Sequence, residues 1–289
     1  MKNKTKIALV IDSTTTVSQE LINDYDIKVV SLNIHTALFD KKEADTTDEE
    51  ILEQLNDLKN IKTSSPAPFD YINAYEELFK KGYEDIVVVP LSKGLSSTHQ
   101  SALVAKNSID EGDHVYILDT NTGNYGIANI VESVIFMLDN PETKVEDFVK
   151  QLEIRIKNCD LRFTLTELKH LVNGGRLSRI AGLMGSLLKI KPMIKFNDEG
   201  KLYLADKVLR TNVIINSFIE EVKKYASEFD HVYVKLVELN KEDVAKELEE
   251  EIKKIPGDIH LSTIHTVRPT FYIHVGNHGF GITVTAYND

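Results

Sequence analysis

The chain has 289 residues, with 34 Lys and Arg against 45 Asp and Glu and a net charge of −11. That length favours two domains with a cleft between them, and the acidity argues against nucleic acid or an anionic membrane surface as the main partner. A single cysteine, Cys159, excludes an intrachain disulfide and a cysteine-rich metal site and fits a reducing compartment, so the expected location is cytoplasmic. No run approaches the roughly 18 apolar residues of a membrane span, and Met1 to Lys6 leads straight into a strand pattern, so neither a signal peptide nor a stable membrane anchor is expected.

Ile7-Ala8-Leu9-Val10-Ile11 reads as a buried central strand ending in Asp12-Ser13-Thr14-Thr15-Thr16, before a short helical pattern from Val17 to Tyr25. Asp12 either orients hydroxyls or a ligand, or caps the turn. Ile27 to Ile34 is a further β-rich run, and Thr47 with Glu50 forms a capping box for an amphipathic helix through Leu58. Lys62-Thr63-Ser64-Ser65-Pro66-Ala67-Pro68 presents hydroxyls on a segment stiffened by two prolines, ahead of a helix from Phe69 to Lys81. The run Ile86 to Val89 predicts a second buried strand. It opens into Leu91-Ser92-Lys93-Gly94-Leu95-Ser96-Ser97-Thr98-His99-Gln100 and then a helix. A hydroxyl-rich loop at the carboxyl end of a parallel strand is where open α/β sheets hold ligands, although such a loop also serves as an ordinary N-cap. A strand from His114 to Leu118 and a helix from Gly126 to Leu138 complete an alternating βα array.

Composition shifts at Asn140-Pro141-Glu142-Thr143, and a charged helix from Val145 to Lys157 bridges to a less regular half. There the patterns predict a strand at Leu161 to Thr164, a helix from Glu167 to Val172, and a glycine turn, Asn173 to Arg179, opening a helix toward Leu188. They continue with strands at Pro192 to Phe196 and Leu202 to Leu209 joined by the hairpin signal Asn197-Asp198-Glu199-Gly200. Two helices flank a strand from His231 to Leu236, and strands are expected at Ile259 to Thr266, Tyr272 to Val275 and Gly281 to Ala286. The expected fold class is α/β. An N-terminal α/β domain with a parallel sheet and hydroxyl-rich ligand loops spans 1–157, and a C-terminal α+β two-layer domain spans 158–289.

Neither a Walker loop, a dinucleotide Gly-x-Gly-x-x-Gly nor a Gly-x-Ser-x-Gly elbow stands at a fitting place. Arg176 and Arg179 lie one helical turn apart, either as an anion or partner contact or as two solvated arginines. Gly182 and Gly185 leave a bare apolar face for helix packing or for a long apolar ligand, with Leu183, Met184, Leu187 and Leu188 as a candidate wall. His274 and His278 lack clustered carboxylates, and the glycines around them forbid a continuous helix, so no metal is expected.

Lys62-Thr63-Ser64-x-Pro66, Ser92-x-Gly94-Leu95-Ser96-x-Thr98-x-Gln100, Gly174-Gly175-Arg176-Leu177-Ser178 and His274-x-Gly276-x-x-x-x-Gly281, with Asp12-Ser13-Thr14 in front, together resemble the DegV family. These are bacterial fatty-acid-binding proteins, the binding component of fatty acid kinase. The resemblance covers nearly the whole chain. It implies a non-catalytic subunit with no cofactor, which buries one long-chain fatty acid as its ligand, with the carboxyl near the domain junction held by Thr63, Ser96 and His274. It also implies a partner, an ATP-dependent fatty acid kinase related to dihydroxyacetone kinases, which makes an acyl phosphate, with Arg176 near the partner surface or the phosphate. The chain departs from the family where Lys93 replaces the usual Ser, Ser97 the usual Gly, His99 the common Tyr, and Asn277-His278 the usual Pro-Gly. Ser97 adds a donor or narrows the head-group end, Ser64 is a neighbouring hydroxyl, and His278 places a second imidazole near the expected carboxyl.

These residue types suit an acid. A buried carboxylate needs donors or must be taken up neutral, and hydroxyls with an imidazole serve either state. Each hydrogen bond nets about 0.5 to 1.5 kcal/mol, so the head group sets orientation, whereas about 0.8 kcal/mol per buried methylene makes the tail the main source of affinity. The alternative is a serine-dependent acyl hydrolase or transferase with Ser96 as nucleophile and His274 as base, which lacks the elbow and an evident orienting acid.

Overall fold

The computed structural model describes residues 2–57, 59–177 and 190–289. In chain order the first part contains β1 (Ile7–Asp12), α1 (Gln19–Tyr25), β2 (Lys28–Val30), β3 (Asn33–His35), β4 (Asp40–Lys42), α2 (Asp48–Leu52), β5 (Lys62–Ser64), α3 (Pro68–Lys80), β6 (Asp85–Val89), α4 (Thr98–Lys106), β7 (Val115–Ile117), α5 (Tyr125–Glu132) and α6 (Val145–Lys157). The remainder contains β8 (Cys159–Leu165), α7 (Lys169–Asn173), β9 (Lys191–Phe196), β10 (Leu202–Val208), α8 (Thr211–Glu228), β11 (His231–Leu239), α9 (Glu242–Ile252), β12 (Asp258–Ile264), α10 (Pro269–Val275) and β13 (Gly279–Tyr287).

Four strands pair in parallel in the order β2-β1-β6-β7. Both faces of this sheet are covered, which is why β1 and β6 are apolar without alternation. Leu9, Ile11, Val87 and Val89 pack with Ile127, Ile130, Phe148 and Leu152, and Ala8, Val10, Ile86 and Val88 pack with Tyr71, Tyr75, Leu78 and Ala102. The second sheet runs β10-β9-β8-β13-β11-β12 and is antiparallel except for the β11–β12 pair. One face buries Val232, Val234, Ile282 and Val284 beneath α8 and α9, while α5 and α6 pack on β13 from the side of the first sheet. A small third sheet, β4-β3-β5, carries the Thr63 segment. Strands of the first sheet all precede Lys157 and those of the second all follow it. Among the described residues no helix is long and apolar enough to cross a membrane.

Several local expectations hold in atomic detail. Thr47 and Glu50 form the reciprocal capping box, the helix Val145–Lys157 has the expected bounds, and the Asn197 carbonyl accepts the Gly200 N–H at 2.8 Å in the hairpin turn. Three differ. The helix opened by Thr47 ends at Leu52 instead of running toward Leu58, because only Ile51 and Leu55 need burial before the weakly helical Asn56-Asp57. The helix expected from Gly126 to Leu138 breaks after Glu132. Ser133 turns its hydroxyl back on the Ile130 carbonyl at 2.8 Å, its own carbonyl accepts from buried Arg155 at 3.2 Å, and the chain continues as a 3-10 segment, Ile135–Asp139. The run Tyr272 to Val275, expected as a strand, belongs to helix α10. Pro269 starts that helix, a buried carboxylate from Glu43 accepts the Thr270 N–H at 2.8 Å, and Gly276 ends it at φ +78°. Ser178 to Leu188, with Arg179, Gly182, Gly185 and the candidate wall Leu183, Met184, Leu187 and Leu188, lies outside the described residues.

Candidate functional site

The two strand-end turns of the first sheet are tied together at their base. Asp12, fully buried, accepts the Leu91 N–H at 2.5 Å through one carboxylate oxygen, and the Thr14 N–H at 3.0 Å and hydroxyl at 2.5 Å through the other. It therefore both closes its own turn and fixes the start of the hydroxyl loop. Burial pushes its carboxyl up to about 6. Glu43, also fully buried, accepts from the Ser13 hydroxyl and from the first turn of α10, and Arg268 donates to the Ser13 carbonyl at 3.1 Å. By this chain of contacts the first strand-end turn sets where α10, and so His274, lies.

Above this base is a cavity of about 850 Å3 between the two sheets. Thr63, Ser64, Ser96, Ser97, Arg176 and His274 all line it, although they come from four separate segments of the chain. Thr63 stands opposite Ile34 in the β3–β5 ladder, and its Oγ1 is 2.9 Å from His274 Nε2 at the last turn of α10. Ser96 Oγ lies 3.0 Å from Ser65 Oγ and 2.9 Å from Thr98 Oγ1. Ser64 is engaged at the rim by His35 Nε2, 2.9 Å away, and by the Asn33 amide at 3.2 Å. Ser97 is exposed at the same edge, and Lys93 pairs with Asp119 at 3.1 Å. His278 is exposed, outside the cavity, with its Nδ1 2.7 Å from the Asn277 side-chain oxygen; of the two imidazoles only His274 faces the hydroxyls.

Burial, reinforced by the charge of Arg176 and by His170, lowers the His274 imidazole to about 3, so the ring is neutral near pH 7. With its proton on Nε2 it donates to Thr63, which leaves the Thr63 hydroxyl hydrogen for an acceptor in the cavity. Among the described residues Nδ1 has no partner, and it lies against Gly174, where a Cβ would come within 2.4 Å of it. Arg176 donates to the Gly174 carbonyl at 2.5 Å, and burial lowers its pKa; among the described residues no carboxylate pairs with it. The rest of the lining is largely apolar, with Leu161, Phe163, Leu165, Phe196, Leu202 and Phe271 among its walls. A neutral imidazole, hydroxyl donors and a cation beside an apolar chamber can hold an acid by one end.

Sequence reasoning missed Glu43, which sits in the charged string Lys41-Lys42-Glu43-Ala44-Asp45 and carries no sign of burial. It also missed His170, a buried imidazole whose Nδ1 has no partner among the described residues, lowered in pKa by burial and packed against Gly276 near His274. Among the described residues no group of three or more His, Cys, Asp or Glu is arranged to hold a metal ion.

A family model described as "Uncharacterised protein, DegV family" matches residues 6–286. A DegV domain-containing protein of Staphylococcus aureus is 32% identical over 287 residues, covering 97% of this chain and 99% of that protein. Among solved structures, a DegV family protein from Thermus thermophilus described by its fatty acid binding superposes with a TM-score of 0.85 at 22% identity, covering 97% of this chain and 99% of that one. A fatty acid binding DegV family protein from Streptococcus agalactiae gives 0.84 at 23% identity, covering 98% of this chain and 100% of that one.

Proposed function

The chain belongs to the DegV family, and from that premise we propose that it buries one long-chain fatty acid in the cavity between its sheets and presents the carboxyl to a partner kinase. The observation that carries this reading is the convergence of Thr63, Ser96, Arg176 and neutral His274 on a cavity of about 850 Å3 whose remaining wall is largely apolar. Such a volume is within the range that encloses a single small ligand. The names of the Thermus thermophilus and Streptococcus agalactiae relatives, which describe fatty acid binding, support the same ligand class.

In the proposed complex the Thr63 and Ser96 hydroxyls donate to the carboxyl, with Ser97 and Ser64 at its rim. His274 orients Thr63, and Arg176 offsets the charge. Aliphatic and aromatic walls take the tail, which supplies most of the affinity at about 0.8 kcal/mol per methylene before the cost of association. The protein acts as a binding subunit with two structural units, 1–157 and 158–289, whose loops meet at the head group. A separate ATP-dependent kinase performs the chemistry, transferring phosphate to the carboxyl to form an acyl phosphate; this step rests on the resemblance of the Thr63, Ser96, Arg176 and His274 motifs. The hydrolase alternative fares worse. His274 Nε2 is bonded to Thr63, and Ser96 to Ser65 and Thr98, so the serine–histidine pair that acyl transfer requires is not assembled.

The test is native mass spectrometry of freshly purified protein, followed by lipid extraction. One fatty acid per chain is expected; ligand-free protein that also fails to bind added palmitic acid overturns the reading.

A further inference from the structure

The hairpin β9–β10 is joined to the rest of its sheet by little backbone pairing. β10 is an edge strand, and β9 meets β8 in register only at Arg162–Lys195 and Phe163–Ile194, with one added tie from Lys195 to Asp160 at 2.8 Å. Its turn reaches instead across the cavity to the other sheet. There the Ser92 hydroxyl, fully buried, donates to the Gly200 carbonyl at 2.9 Å and receives the Gly94 N–H at 3.1 Å. The approach leaves no room for side chains: a Cβ on Gly94 would lie 2.4 Å from the Glu199 carbonyl oxygen, and one on Gly200, at φ +68°, would lie 1.9 Å from Ser92 Oγ. Phe196 and Leu202, paired directly across the hairpin just before and after the turn, both line the cavity, as does the Lys93 to Ser97 stretch beneath them.

We propose that this hairpin is the gate of the cavity, latched shut by the contact of Ser92 and Gly94 with Gly200, and that ligand enters and leaves when the turn lifts off the hydroxyl loop. The proposal rests on the fatty-acid reading above. One hydrogen bond and one bare backbone contact are a closure weak enough to open thermally, while Phe196 and Leu202 move with the turn and uncover the apolar wall. Because the latch sits on the same loop as Ser96, a bound carboxyl that orders this loop also favours the closed gate.

The experiment follows binding of cis-parinaric acid, a fluorescent polyene fatty acid, by stopped flow, in the full chain and in two variants, Ser92→Ala, which removes the latch bond, and Gly200→Ala, which forces the turn off the loop. Association and dissociation rates are expected to rise together, about three- to tenfold for loss of one hydrogen bond, with Kd changed less than about twofold. Dissociation that rises alone, with Kd weakened in proportion, would make this contact part of the binding site and overturn the gate, as would unchanged rates in both variants. In the unmodified protein, amide exchange across residues 194–203 is expected to slow when the probe binds; unchanged exchange there overturns the gate irrespective of how the variants fold. Failure of cis-parinaric acid to bind the unmodified protein overturns the fatty-acid reading itself, which separates the two claims.

Discussion

Gly174→Ala tests the head-group geometry with a single methyl. Gly174 has ordinary right-handed helical angles, φ −72° and ψ −8°, so alanine is tolerated by the backbone and the whole effect is steric. The new methyl would lie 2.4 Å from His274 Nδ1 and 3.1 Å from Cε1, with the His170 carbonyl oxygen 3.2 Å away on another side. Ordinary contact between such atoms begins at about 3.5 Å, so the imidazole must retreat by about 1 Å or more. The bond from Nε2 to Thr63, now 2.9 Å, would then stretch or bend beyond useful geometry. Losing it frees the Thr63 rotamer, for an affinity loss of about 0.5 to 1.5 kcal/mol, or roughly two- to tenfold in Kd. Overpacking costs the fold a further 1 to 3 kcal/mol or so. Isothermal titration with palmitic acid reads the first effect, chemical denaturation the second, and the ring nitrogen resonances of His274 report the displacement. Unchanged affinity together with unchanged ring resonances would refute the argument that Gly174 fixes the imidazole against Thr63.

Arg176→Gln is expected to weaken binding of palmitic acid more than that of hexadecanol, since only the acid has a charge to offset; equal losses would remove Arg176 from the head group. Palmitic acid affinity should show no inflection from His274 between pH 5 and 8, because an imidazole lowered to about 3 is neutral throughout; an inflection near 6.5 that vanishes in His274→Ala would contradict this. Asp12, raised to about 6 from an ordinary carboxyl value of 3.8, binds its proton more tightly in the folded state. Its contribution is therefore most favourable at low pH and declines as pH rises from about 4 through 6, by roughly 3 kcal/mol in all. The folded-state depression of His274 acts in the opposite direction, with stability rising as pH climbs from about 3 toward 6.5. Asp12→Asn, which loses the Leu91 bond but cannot ionise, should therefore lower stability most at low pH and make the rise between pH 4 and 6 steeper than in the unmodified protein; parallel denaturation profiles would refute the assignment.

Much of the scaffold was legible because its signals are local. β1 and β6 announce themselves as unbroken β-branched runs that only a doubly covered sheet explains, and the Thr47–Glu50 box is complete within four residues. Among the site residues, Thr63, Ser96, Arg176 and His274 fall in recognisable motifs and meet at one cavity. What stayed hidden depends on partners far away in the chain. An apolar run of four fits strand and helix alike, and Tyr272 to Val275 became helical through Pro269, Gly276 and a carboxylate 227 residues distant from Thr270. Glu43 looks like surface charge until its acceptors are placed against Ser13 and α10, and His170 gains meaning only from its position beside His274 and Gly276. The close approach at Gly94 is equally invisible, because the Gly200 turn it meets belongs to the other sheet.

A crystal structure of the protein grown with palmitic acid decides whether the hydroxyls hold the acid by its carboxyl. The carboxyl is expected within hydrogen-bond reach of the Thr63 and Ser96 hydroxyls, with the chain running among Phe163, Phe196 and Leu202. A carboxyl turned away from those hydroxyls, or palmitic acid bound anywhere but this chamber, would contradict it.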